Sequence, residues 1–195
     1  MDIGKELESE GVNKSLLAEV RAFRDAHGVT EEMRGRIPSP RFVYYGKDVW
    51  EAAAAAVLCG ENLLLAGPKA TGKNVLAENL AALFGRPVWD ISMHINVDAA
   101  SLIGTDTLKG SEVCFREGPV CQCARLGGFG ILDEVNMAKN EALAVLHATL
   151  DFRRVIDIPG YRRVTLDDAT RFIGTMNYGY AGTRELNEAL VSRFV

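Results

Sequence analysis

Residues 63–85, LLLAGPKATGKNVLAENLAALFG, constrain the chain more than any other stretch. Residues 62–66 read as a buried strand between Gly60 and Gly67, apolar from Leu63 to Ala66. Residues 72–84 read as a helix that stops at Gly85. Between them, Gly67 and Gly72 bound a tight turn. A strand that passes through such a turn into a helix leaves successive N–H groups unpaired at the helix N-terminus. Together with the helix dipole they form a cradle for an anion. The spacing matches G-x-x-x-x-G-K-[ST] until its last letter, where Asn74 stands in place of a hydroxyl. In such a loop the lysine, here Lys73, reaches the β- and γ-phosphates of a nucleotide. Gly67, Pro68, Lys69, Ala70, Thr71, Gly72, Lys73, Asn74 and Val75 are therefore the candidate nucleotide-binding residues.

The rest of the chain supplies neighbours for that first strand. Residues 87–91, 130–132 and 171–175 read as three more strands. Helices are expected over residues 97–103, from Pro119 to about Gly127, over 138–150 and over 184–193. Small hairpins are expected near 112–115 and over 153–166, the latter turning at Pro159-Gly160. Upstream, residues 14–27 place Leu16, Leu17, Val20 and Phe23 at helical spacing, and Asp48 is the expected cap of an Ala-rich helix to Leu58. Strands alternating with helices predict an α/β fold, a parallel sheet covered on both faces. Residues 1–41 read as a helical segment and linker, and 42–195 as the nucleotide-binding unit.

A net charge of −4 gives no support to nucleic-acid binding. No apolar run approaches the roughly 18–20 residues of a membrane helix, and the acidic N-terminus has no signal-peptide core, so a cytoplasmic location is expected. Cys121 and Cys123 are one residue apart, which is not a zinc spacing, and His27, His94 and His147 are scattered; all read as ordinary side chains.

Three further segments carry candidate chemistry. Gly130-Ile131-Leu132-Asp133-Glu134 delivers two carboxylates at a strand end, where ligands bind in open α/β sheets. Asp133 is a candidate Mg²⁺ ligand, and Glu134 a candidate general base for water. Strand 171–175 runs on into Asn177, a neutral amide suited to hold that water. Arg193 ends the last expected helix, where a cation suits the dipole; it is also a candidate arginine finger toward a neighbouring subunit. The basic pairs Arg153-Arg154 and Arg162-Arg163 sit on the second expected hairpin, exposed to solvent or to a partner.

Taken together, GPKATGKN, GILDEVNMA, FIGTMN and ELNEALVSRF resemble an AAA+ ATPase, and within it the MoxR-like branch near CbbQ/NorQ-type and dynein-related modules. The resemblance covers about residue 42 to the end. It implies a P-loop NTPase three-layer sandwich with strand order 5-1-4-3-2, and here the fifth strand and the helical lid are expected to be missing. It also implies ATP/ADP with Mg²⁺ as cofactors, assembly as a homo-hexameric ring, and remodelling of a partner protein, in many relatives one with a von Willebrand A domain. By position, Gly67 to Asn74 match the Walker A loop, Asp133-Glu134 the Walker B pair, Asn177 the first sensor and Arg193 the finger. Residues 93–99 match the pore loop, and the hairpin at 112–117 an insertion that marks the branch. The aromatic run at 42–45 falls where relatives bring a linker near the adenine, or it is plain packing.

Two departures bear on function. Asn74 and Asp133 are the expected metal ligands, yet an Asn amide oxygen is a weaker substitute for the hydroxyl. Lys69-Ala70 replaces a Pro-Gly step, and Ala70 must find ordinary angles or accept strain. Two readings stay open: an ATP-hydrolysing ring subunit, or a nucleotide-binding assembly module with weak or no hydrolysis. A small-molecule kinase shares the loop but needs neither the acid pair, the sensor nor the finger.

Overall fold

The computed structural model describes residues 2–178 and 185–195. Helices α1 (Ile3–Ser9), α2 (Lys14–Ala26), α3 (Glu31–Arg34) and α4 (Lys47–Leu58) precede strand β1 (Leu63–Gly67) and helix α5 (Lys73–Phe84). Strand β2 (Val88–Ser92), helix α6 (Ala99–Ile103) and the hairpin of β3 (Gly104–Lys109) and β4 (Glu112–Glu117) lead into α7 (Pro119–Arg125). Then come β5 (Phe129–Asp133), the short helices α8 (Asn140–Leu143) and α9 (His147–Leu150), and the small ladder of β6 (Val155–Ile156) with β7 (Val164–Thr165). Strand β8 (Arg171–Asn177) and helix α10 (Glu188–Val191) close the described chain.

The main sheet has four strands in the order β1-β8-β5-β2, and every pairing in it is parallel. In the expected numbering this is 1-4-3-2. Val195 occupies the outer side of β1: its N–H donates to Asn62 and its carbonyl accepts from the Leu64 N–H, both at 2.9 Å. That exchange is one rung of a parallel ladder at the fifth position.

Side-chain alternation along the strands fills two cores. Ile131 of β5 and Ile173 of β8 face α4 and α5, where they join Trp50, Val57, Leu80 and Phe84. Leu132 and Phe172, one residue on or back, face the opposite way and join Leu102, Val120, Leu143 and Leu146. The sheet is thus covered on both faces, as the near-continuous apolar strands require. Ile3, Leu7, Leu17 and Val20 of α1 and α2 belong to the same core as α5.

Some local expectations change. Asp48 lies in the first turn of α4 rather than at its cap, which is Gly46. Helix α1 is not legible from its acidic sequence; Asp2 caps it, accepting from the Lys5 N–H. The helix expected over 138–150 is broken into short α and 3-10 pieces. The last helix begins only at Glu188, where the Asn187 side chain accepts from the Ala189 N–H. Arg184, its expected start, lies outside the described residues.

Asn62 ties the outer strand to the centre. Its buried side chain donates to the Leu150 carbonyl at 3.0 Å and accepts the Phe172 N–H at 2.8 Å. Asn62→Leu strands both buried backbone groups. It is expected to cost about 2–4 kcal/mol, read as a lower urea midpoint at unchanged slope.

Candidate nucleotide-binding site

The ladder brings the candidate residues to one edge of the sheet. Gly67, at the end of β1, pairs with Asn177 at the end of β8. Asp133, at the end of β5, pairs with Ser92 of β2. All are carboxyl ends, the side on which open α/β sheets bind ligands.

The loop between β1 and α5 has the shape of a cradle. Gly72 caps α5 with φ of 81°, which glycine adopts without steric cost. Ala70 has φ of 61°. The alternative left open by the sequence is thereby decided for strain, at a cost of about 1–2 kcal/mol for a residue with a Cβ. The Lys73 ammonium lies across the loop, donating to the carbonyls of Pro68 at 2.6 Å and Gly67 at 3.1 Å. Thr71 Oγ1 lies 3.4 Å from it and donates to the Pro68 carbonyl at 3.0 Å. A phosphate would offer Lys73 charge-assisted bonds, roughly twice as strong as those to neutral acceptors.

Facing the loop is a hydrogen-bonded network at the tips of β5 and β8. Thr175 Oγ1 donates to Asp133 Oδ1 at 2.7 Å and accepts the Glu134 N–H at 3.1 Å. Asn74 Nδ2 donates to the same Asp133 oxygen at 3.0 Å. A carboxylate selects the NH₂ end of the amide, so the Asn74 carbonyl oxygen is not the end that meets Asp133. Glu134 has φ of 55° and ψ of 48°, so the backbone turns sharply between the two acids. The Glu134 carboxylate accepts from Asn177 Nδ2 at 3.2 Å, and Asn136 Nδ2 donates to the Asn177 carbonyl at 2.9 Å. Burial first, and the Asp133 charge second, push the Asp90 carboxyl on β2 above its ordinary pKa.

These groups line one cleft of about 460 Å³, formed by the loop from Lys69 to Val75 and by Asp133, Glu134, Thr175 and Asn177. Gly67 and Pro68 stand behind it as acceptors for Lys73. Arg193 is elsewhere. Its guanidinium donates to the carbonyls of His147, at 3.0 Å, and Ala189, and pairs with Asp151 at 3.3 Å. Arg153, and then Arg193, hold the Asp151 carboxyl down to about 2. Of the basic hairpin pairs, Arg153 is taken by Asp151, and Arg154 donates to the carbonyls of Asp167 and Thr170. The cysteines are free thiols, with Cys121 and Cys123 buried. Burial raises the Cys121 thiol to about 11.

Thr175 is a site residue that sequence reasoning misses, although it lies inside the FIGTMN motif. The signal that could have found it is its place two residues before Asn177, hence on the same face of the strand.

The family described as AAA domain (dynein-related subfamily) matches residues 62–194. The chain belongs to that family. Membership implies ATP binding, and the MoxR-like branch fits it. Among curated proteins, this AAA domain is 36% identical over 162 residues to the uncharacterized protein SH1500 of Staphylococcus haemolyticus, covering 80% of this chain and 61% of that protein. It is 37% identical over 148 residues to the uncharacterized protein YojN of Bacillus subtilis, covering 73% of this chain and 49% of that one. The chain thus spans about half to three fifths of the length of these relatives. Among solved structures, a provisionally named ATPase from Cytophaga hutchinsonii superposes with a TM-score of 0.60 at 20% identity, covering 93% of this chain and 52% of that one. At that identity the match speaks for the fold. Among the described residues, no helix is long and apolar enough to cross a membrane.

The donor set fits magnesium. That ion takes one or two protein oxygens and completes its shell with phosphate and water, so the Asp133 carboxylate suffices alone, and the Asn74 carbonyl oxygen joins it once the amide gives up its N–H bond to Asp133. No larger cluster of ligating side chains occurs among the described residues.

The network and the loop generate two expectations. Ala70→Gly relieves about 1–2 kcal/mol of left-handed strain against about 0.5–1 kcal/mol of added backbone entropy. A net gain of about 0.5–1 kcal/mol in unfolding free energy is expected. Thr175→Val orphans the Glu134 N–H and removes a donor from Asp133, at a cost of about 1–3 kcal/mol. Nucleotide affinity measured with and without Mg²⁺ should lose much of its metal dependence in Thr175→Val and keep it in Thr175→Ser.

Proposed function

We propose that this AAA domain binds ATP with Mg²⁺ and hydrolyses it, as one subunit of a homo-oligomeric, hexameric ring that remodels or activates a partner protein. The observation that carries the reading is the shared cleft: Lys73 on one side, and on the other Asp133 and Glu134 linked through Thr175, with Asn177 bonded to Glu134.

In this reading the N–H groups of the loop hold the phosphates, and Lys73 exchanges the carbonyls of Gly67 and Pro68 for β- and γ-phosphate oxygens. Magnesium, when bound, would neutralise charge on those oxygens, held by Asp133 and by the Asn74 carbonyl oxygen. Glu134 takes the proton of the attacking water, and Asn177 orients both the carboxylate and the water. Arg193 would act on a neighbouring subunit's γ-phosphate after giving up Asp151. A partner with a von Willebrand A domain is the one the family resemblance suggests.

A second reading has an observation of its own. The bond from Asn74 to Asp133 ties up the acid that should hold the metal. The domain would then bind nucleotide to cement assembly and hydrolyse it slowly or not at all.

Phosphate release from Mg-ATP, measured over rising protein concentration, separates the two. Hydrolysis predicts measurable release that falls by about 100-fold or more in Glu134→Gln while ATP binding persists, and loss of binding in Lys73→Ala. Asn74→Thr should raise the rate. No release from the assembled wild type, or equal release from Glu134→Gln, would remove the first reading.

A further inference from the structure

Asn79 lies on α5, seven residues and about two helical turns beyond Gly72, and so on the same side of the helix. Its side chain is fully buried in an otherwise apolar face, yet it does not line the cleft. Both ends of its amide grip the segment before α4. Oδ1 accepts the Tyr44 N–H at 3.0 Å, and Nδ2 donates to the Phe42 carbonyl at 2.9 Å. The Tyr44 carbonyl accepts from the buried Trp50 indole at 2.8 Å. Two residues on, the Gly46 N–H donates to Glu10 at 2.6 Å. Tyr44 is therefore fixed from both sides of its own backbone.

The ring so fixed rests on the nucleotide loop. Its edge carbons lie 3.1 and 3.3 Å from the point a Cβ on Gly72 would occupy. Gly72 holds φ of 81° at the cap of α5, between the strained Ala70 and Lys73. A bare glycine there passes readily between positive and negative φ. A ring packed against its Cα removes room for that excursion and keeps the N–H groups at the start of α5 aimed into the cleft.

We propose that Asn79 is a positioning residue for the nucleotide loop, acting through the Tyr44 ring on Gly72. The inference rests on the ATP-binding reading. It assigns loop order, and with it part of the affinity for phosphate, to an amide outside the cleft. Because the ring acts on the phosphate cradle, the effect extends to a ligand without a nucleoside. Preorganisation of this kind adds affinity by removing an ordering cost from binding.

The test is calorimetric titration of the full chain with ADP and with inorganic triphosphate, well below the unfolding temperature. Asn79→Leu keeps the volume and removes both hydrogen bonds. Tyr44→Leu removes the ring and keeps the clamp. Each is expected to weaken both ligands about tenfold. Their combination should be no weaker than the worse single change, since both act on one contact. Tyr44→Phe should bind within about twofold of wild type. Leu166→Ala, in the core on the other face of the sheet, should lose stability and bind normally; a merely structural role for Asn79 predicts the same of Asn79→Leu. Wild-type affinity in either leucine variant, or additive losses in the double variant, overturns the proposal. If Asn79→Leu does not fold, Tyr44→Leu against Tyr44→Phe decides alone. A wild type that binds neither ligand overturns the ATP-binding reading along with the proposal, whereas a binding wild type with unaffected variants overturns the proposal only.

Discussion

The site depends on one arrangement of backbone hydrogen bonds: β8 lies between β1 and β5, in parallel register with both. That register sets Asn177 beside Gly67, where the loop departs, and carries Thr175 to the acid pair at the end of β5. A one-residue slip of β8 would reverse the direction of Thr175 and Asn177 and dissolve the network. It would also exchange Phe172 with Ile173 between the two cores, and burial of both side chains opposes this. The hydrophobic pattern of one central strand thus fixes the geometry of the polar cluster at its tip.

The parts legible in the sequence are those whose signals are local. The strand, glycine turn and helix around Gly67 and Gly72 are legible within a residue or so of their bounds, because apolar runs and glycine placement act over a few positions. The Asp133-Glu134 pair is legible for the same reason, as two acids closing a short apolar run. The features that escape act across the fold. Thr175 meets Asp133 across 42 residues, and Asn79 meets Tyr44 across 35. Neither partner is visible from a window of sequence. Helix α1 escapes for another reason: only Ile3 and Leu7 of it are buried, a stripe too thin to stand out among its charges. The break in the helix over 138–150 has no local signal that we can name.

Asn74 is where sequence and structure bear on each other most. By residue type it is a candidate metal ligand, an amide where a hydroxyl is expected. By contact it is a donor that quiets Asp133 and shares that oxygen with Thr175. Both roles use one amide, through opposite ends. A cation approaching Asp133 meets a carboxylate oriented by Thr175 and must displace the bond from Asn74. Strain at Ala70 and the folded-back Lys73 likewise describe a loop that is shaped before its ligand comes and rearranges by side-chain exchange.

The most direct measurement of the central claim is an amide NMR titration of this AAA domain with ADP. The account predicts saturating shifts confined to residues 69–75 and to the ends of β5 and β8 around Asp133, Glu134, Thr175 and Asn177. Shifts gathered elsewhere on the surface, or none at millimolar nucleotide, would contradict it.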